Sequence, residues 1–353
     1  MAADAESSRS NAPLPIPNLE SMKAFILAAG FGVRLWPLTE DRSKPAIPFH
    51  NRPLIAYSVE YLASHGITDI IINLHHQPQS ITNALGDGSQ LGVRIEYSRE
   101  EEILGTSGAL DRVREQLSGG DFVVINGKIV TDIDLNAAIE AHRHERAIAT
   151  LVLKENTARE HFSIVEVDQR GWITRFAGFP EPASEAASVE APATTASTGP
   201  EPSPLMFTGI QVLSPRIFDY IPHARFSHST LDVFPRAIQA GEPVIAHIAN
   251  EHWYEMSTLA RYFEASLLLM RKQHLSFVAG HHCSIAADAV VEDSVLWDRV
   301  TIEPDAVVKQ SVVAEGVRIP RGTFVERSVV VRREVVSDVE RGEVAGDNLI
   351  VPF

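Results

Sequence analysis

Lys23-Ala-Phe-Ile-Leu-Ala-Ala-Gly30-Phe-Gly32 passes from a short apolar run straight into a glycine turn. A run of this length, apolar on both faces, predicts a buried parallel strand feeding a tight turn. Working outward, residues 54–64 have helical spacing, 69–74 and 93–98 read as strands, 108–117 as a helix and 122–125 as a further strand. Strands at 147–153, 163–167, 172–176 and 207–213 follow, and a helix over 258–272 closes the unit. Alternating strands and helices predict an α/β, Rossmann-like, mostly parallel sheet covered on both faces.

Beyond it the chain repeats. Ile285, Ile302 and Ile319 are 17 apart, as are Ala289, Ala306 and Thr323, then Val291, Val308 and Val325, then Ser294, Ser311 and Ser328. Within each unit, apolar positions recur every five or six residues, the signature of a hexapeptide β-helix with three short strands per coil. About three coils are expected, with Val295 and Trp297 packed inside them. A β-sandwich would not repeat residue types at a fixed offset.

Composition sets the remaining limits. The 353 residues suffice for two domains, expected at 22–275 and 280–353. Residues 1–21 read as a disordered leader, with Met22 an alternative start. Residues 181–204 hold five Pro and six Ala with no aromatic residue, so they read as a disordered insertion unable to offset its ordering entropy. A net charge of −15 argues against binding nucleic acid or an anionic membrane, and any basic site must be local. No apolar run is long enough to span a bilayer. The lone Cys283 reads as a buried, inert thiol, which fits a reducing cytoplasm. The pairs His75-His76 and His281-His282, and His142 with His144, lack a zinc ligand set and read as loop or helix histidines.

The glycine turn continues as Val33-Arg34-Leu-Trp-Pro37-Leu-Thr39, followed by Ser43-Lys44-Pro45-Ala-Ile-Pro48. Leu35 replaces the third glycine of a dinucleotide fingerprint, and no Lys-Ser or Lys-Thr closes a P-loop, here or at Gly127-Lys128. What remains is a turn whose amides can approach phosphates, with Arg34 and Lys44 as local positive charge. Further along come Ile103-Leu-Gly105-Thr106-Ser107-Gly108-Ala109-Leu110, Asn126-Gly127 and Phe207-Thr-Gly209. Together these motifs resemble the signature of the sugar-1-phosphate nucleotidyltransferases, the family of glucose-1-phosphate thymidylyltransferases and mannose-1-phosphate guanylyltransferases. Val33 stands where that family usually has Thr. The resemblance covers residues 22–272, and many members of the guanylyltransferase branch also carry a C-terminal left-handed β-helix.

The resemblance implies attack by a sugar-1-phosphate oxygen on the α-phosphorus of a nucleoside triphosphate, with positioning and charge neutralisation supplying most of the catalysis. Ala29, Gly30 and Gly32 would hold the triphosphate, Arg34 and Lys44 would neutralise it, Gly105, Thr106 and Gly108 would lie against the base, and Asn126 would also face the nucleotide. Ser163, Phe179 and Gly209 would lie on the sugar side. Mannose or glucose 1-phosphate with GTP is the expected pair, and the β-helix is an expected platform for self-association.

The other half of the site departs from the family. The Asp that holds Mg²⁺ after Asn-Gly is Lys128, and an ammonium cannot ligate a cation. The Trp-x-Asp-x-Gly-Thr stretch reads Trp253-Tyr-Glu255-Met-Ser257-Thr258, a Glu-Lys-Pro reads Gly178-Phe179-Pro180, and the preceding Tyr-Gly reads Phe162-Ser163. Two readings follow. In one, Lys128 acts on the phosphates as a catalytic cation while Glu255, with Asp132 or Asp134, keeps Mg²⁺ nearby. In the other, the protein binds nucleotide or nucleotide-sugar as a regulator without turnover, since each lost preorganised charge contact commonly costs about 10² to 10³ in rate.

Overall fold

The computed structural model describes residues 22–157, 162–176, 178–180 and 204–353. The expected leader, and the expected insertion except for Pro204, lie outside the described residues. Lys23–Leu27 sits near the middle of a nine-stranded sheet, parallel to Asp69–Leu74 on one side and Phe122–Asn126 on the other. Arg94–Arg99 extends the parallel half, while Leu205–Leu213 runs antiparallel to Phe122–Asn126 and carries the remaining strands.

The central strands read as unbroken apolar runs because successive side chains enter two different cores. Ala24, Ile26, Ile70, Ile72, Val123 and Ile125 pack on one face with the helices Leu54–Ser64 and Leu135–His144. Phe25, Ile71, Phe122 and Val124 pack on the other with Ala109, Leu110 and Phe234. The helix expected over 108–117 begins three residues earlier and spans Gly105–Arg112, breaking at Val113 before a single turn at Arg114–Leu117. Its start is set by tertiary contact: Ser107 N donates to Ser227 O (3.1 Å) and Thr106 Oγ1 accepts from Ser229 N (2.8 Å).

In the C-terminal segment the 17-residue period becomes strand register. Ile285 pairs with Ile302 and Ile302 with Ile319, while Val291 pairs with Val308 and Val308 with Val325, all in parallel. A third sheet stacks Phe277–Ala279, Ser294–Leu296, Val312–Val313 and Ser328–Arg332, one rung more than the other two, and Asn348–Pro352 then Glu343–Ala345 continue it antiparallel. The serine column is a buried ladder. Ser311 N donates to Ser294 Oγ (3.1 Å) and Ser328 N to Ser311 Oγ (3.2 Å), while each hydroxyl donates to a carbonyl two residues back. Buried polar groups are thereby paired inside an apolar coil.

The β-helix core is continuous with residues beneath the glycine turn. Leu35, Leu38, Ile47, Phe49 and Tyr262 share one cluster with Val295, Trp297 and the coil valines. Trp297 Nε1 donates to the Tyr262 hydroxyl (3.1 Å), which donates to Pro48 O (2.5 Å). The loop itself is gripped from the β-helix: Arg42 pairs with Glu315 (2.7 Å) and lies over the Trp297 ring, Ser337 N donates to Glu40 (2.9 Å), and Arg341 covers Trp36.

Candidate active site

The sheet order reverses direction at Lys23–Leu27, whose neighbours on its two sides come from separate crossovers. The crevice outside the carboxyl ends of such strands is where open α/β sheets bind ligands. A cleft of about 240 Å³ opens there, walled by Ala29, Gly30, Lys44, Gly105, Thr106, Asn126 and Lys128. Asn73, Glu100 and His228 also line it, and the sequence reading did not single them out. Asn73 Oδ1 accepts from Ala28 N (2.6 Å), its Nδ2 donates to Glu100 Oε1 (2.7 Å), and Glu100 Oε2 accepts from Leu104 N (3.0 Å). This buried pair ties the glycine turn to the turn that starts at Gly105. The available signal was one polar residue at the end of Asp69-Ile-Ile-Ile-Asn73-Leu.

Three glycines shape the walls. At Gly32 (φ 69°) a Cβ would stand 2.9 Å from Lys44 Cβ, so the turn can fold down onto the lysine only without a side chain. At Gly105 (φ 77°) it would stand 2.3 Å from Ser227 O. Gly209 makes room for the Asn126 side chain, whose amide nitrogen would be 2.1 Å from an added Cβ. Gly108 faces Arg225 O rather than the cleft.

The floor is cationic. Lys128 follows the Phe122–Asn126 strand, and its ammonium is ion-paired with Glu255 Oε1. Two short strands bring them together, Ile129–Thr131 and Trp253–Glu255, with Met256 N donating to Lys128 O (3.0 Å). Arg261 Nη1 approaches Glu255 Oε2 at 3.6 Å. Burial pushes the Glu255 carboxyl up, but Lys128, Ser257 and Lys44 outweigh it and hold the group below the usual range. Lys44 is pulled down to about 8, first by burial, then by Lys128 and Arg34, with Glu255 opposing.

This donor set does not fit Mg²⁺. One oxygen of Glu255 is occupied by an ammonium and the other lies beside a guanidinium. Asp132 does not join it: its carboxylate accepts from His252 N (2.6 Å) and pairs with His252 Nδ1 (2.8 Å) at an exposed place on the ribbon. Asp134 caps Leu135–His144 by accepting from Asn136 N. Among the described residues no three His, Cys, Asp or Glu side chains are grouped to hold a metal ion.

Arg34 is exposed, close enough to Lys44 to affect its charge. Ser163 and Phe179 are exposed and do not line the cleft. Phe162 is the nearer neighbour of the floor, edge-on to Trp253 and covered by Arg261. Cys283 is half-buried and donates to Trp297 O. A larger cavity of about 690 Å³ lies at the β-helix end, where Arg318 and Arg332 are already paired with Glu303 and Glu334.

Residues 23–272 match the nucleotidyl transferase family model, and residues 270–348 match the GlmU-like C-terminal hexapeptide model. The chain belongs to the nucleotidyl transferase family. This nucleotidyl transferase is 30% identical over 296 residues to a UTP–glucose-1-phosphate uridylyltransferase of Synechocystis, covering 80% of this chain and 72% of that protein. A probable mannose-1-phosphate guanylyltransferase of Oryza sativa is 30% identical over 270 residues, 74% of this chain and 69% of that one. Among solved structures, HddC from Yersinia pseudotuberculosis aligns with a TM-score of 0.56 at 22% identity, over 70% of this chain and 99% of its own. At that identity the likeness shows the nucleotidyl transferase fold alone. No helix among the described residues of this family member is long and apolar enough to cross a membrane.

Proposed function

We propose that this chain is a sugar-1-phosphate nucleotidyltransferase with an altered phosphate site. The observation that carries the reading is one cleft at the strand ends, walled by the glycine turn, Lys44, Gly105, Thr106 and Lys128. In the proposed reaction a phosphate oxygen of the sugar 1-phosphate attacks the α-phosphorus of the triphosphate, the bond from that phosphorus to the α–β bridging oxygen breaks, and pyrophosphate leaves. Backbone amides of Gly30 to Gly32 hold the triphosphate, with Arg34, Lys44 and Lys128 opposing its charge. Gly105 and Thr106 lie along the base, and the sugar enters from the side of Ser163, Phe179 and Gly209. Fixed cations of this kind stabilise charge that grows during transfer without reorganising.

The guanylyltransferase and uridylyltransferase relatives support GTP or UTP with mannose or glucose 1-phosphate, and we take GTP as the first choice. In this reading residues 22–275 are the catalytic unit and 280–353 a β-helix through which copies associate. The Lys128–Glu255 pair favours a second reading, a nucleotide-binding regulator without turnover. Nucleotide-sugar formation and pyrophosphate release, measured over the common nucleoside triphosphates and several sugar 1-phosphates, decide between them. Turnover by the wild type establishes the enzyme. Tight nucleotide binding with no product from any pair establishes the regulator.

A further inference from the structure

Two lysines, Lys44 and Lys128, line the cleft, and Arg261 stands beside Glu255 at its floor. Lys44, Lys128 and Arg261 surround the carboxylate of Glu255, and Arg34 acts on Lys44 from the loop, while the other carboxylate of the cleft, Glu100, is held by Asn73 and Leu104 N. Glu255 is 7% exposed and Lys128 20%, so water screens this charge poorly. A divalent ion entering here would lose hydration, meet fixed positive charge, and find one oxygen of Glu255 already held by an ammonium. A triphosphate entering without a metal meets the opposite situation, because its own charge is what the floor lacks.

We infer that this cleft takes nucleoside triphosphate as the free, metal-free anion, with Lys128 occupying the place of a divalent ion and Glu255 serving as a positioning residue that holds Lys128. The inference rests on the nucleotide-site reading above and adds the form of the ligand. Glu255 cannot turn its charge to a metal without releasing Lys128, and releasing Lys128 into the cleft restores the repulsion. The penalty that burial places on the Lys44 charge is offset by the opposite charge of an arriving phosphate, so a bound anion and the floor stabilise each other.

The test is calorimetric titration of the full chain with GTP, UTP and pyrophosphate, in EDTA and again in excess Mg²⁺. The expected result is binding in EDTA that Mg²⁺ leaves unchanged or weakens, because Mg²⁺ withdraws the free anion. Tightening by more than about threefold on adding Mg²⁺ overturns the inference. Absence of binding by every triphosphate in both buffers overturns instead the nucleotide-site reading on which it rests. Lys128→Met should lose about ten- to hundredfold in affinity in EDTA, the worth of one charged contact. Lys128→Asp should bind weakly in EDTA and regain affinity with Mg²⁺. Glu255→Gln separates the two roles of the carboxylate: a positioning residue changes affinity equally in both buffers, whereas a metal ligand loses only the Mg²⁺-dependent part. If the Lys128 variants fail to fold, the wild-type comparison alone still decides.

Discussion

Lys128 and Glu255, 127 residues apart, form an ion pair at the base of the cleft beside the glycine turn. Because Glu255 is buried, removing its partner leaves a carboxylate that keeps only the weaker support of Ser257, Lys44 and Arg261. Lys128→Met is expected to lower stability at neutral pH by about 1.5–3 kcal/mol, the usual worth of a hydrogen bond to a charged group, read by urea unfolding. Glu255 is held below its ordinary value, so the pair's contribution is complete above the unfolded carboxyl pKa and disappears as pH falls through the folded one. The difference between wild type and variant should therefore shrink towards acid, and a difference independent of pH would remove the ion pair as its cause.

Lys44 lines the cleft and is pulled down to about 8 by burial, then by Lys128 and Arg34. Below that value its ammonium is charged, and in the proposed reading it attracts the phosphates; above it the charge is lost. Affinity for GTP should accordingly fall as pH rises from neutrality through this value. Lys44→Arg should flatten the profile, since a guanidinium stays protonated throughout. Equal profiles for both proteins would place Lys44 away from the phosphates.

Arg42 stands two residues before Lys44 and is bound to Glu315, on the β-helix, and to Asp41. Neither Arg42 nor Glu315 lines the cleft. Arg42→Ala should cost about 1.5–3 kcal/mol in stability and also weaken GTP binding, by freeing the segment that carries Lys44. A double-mutant cycle with Glu315→Ala should return a coupling energy in both measurements. Additive effects on GTP affinity would show that the β-helix does not brace the loop.

Two glycines of the site should respond oppositely. Gly105→Ala places a Cβ against Ser227 O at a positive φ, so the protein should lose stability, with strain of about 1–3 kcal/mol from the backbone alone. Gly30→Ala meets nothing within 4 Å and has no positive φ, so unfolding should be unchanged while nucleotide affinity falls. A Gly30→Ala protein that binds nucleotide normally would take that glycine out of the phosphate turn.

The fold was readable because its signals are local. The run from Lys23 to Leu27 alternates between two cores, and the 17-residue offsets of the isoleucine and valine columns became strand partners. The glycine-turn residues were readable for the same reason, since a tight turn needs specific residue types in a row. Asn73 and Glu100 were not, because each is a lone polar residue whose role arises only when neighbouring strands Asp69–Leu74 and Arg94–Arg99 end side by side. Asp132 and Asp134 read from sequence more readily as turn and helix-capping residues than as metal ligands, and the structure pairs Asp132 with His252 and has Asp134 accept from Asn136 N at a helix start.

By itself the sequence determined the α/β sheet, the β-helix and the glycine turn, through periodicities that each segment expresses within a few residues. Only the tertiary structure decided that Lys128 meets Glu255, that Arg42 reaches Glu315 across 273 positions, and that Phe162 rather than Ser163 or Phe179 stands by the floor. The physical reason is that pairing charges distant in the chain depends on strand register and helix packing, and these are set by burial summed over the whole core.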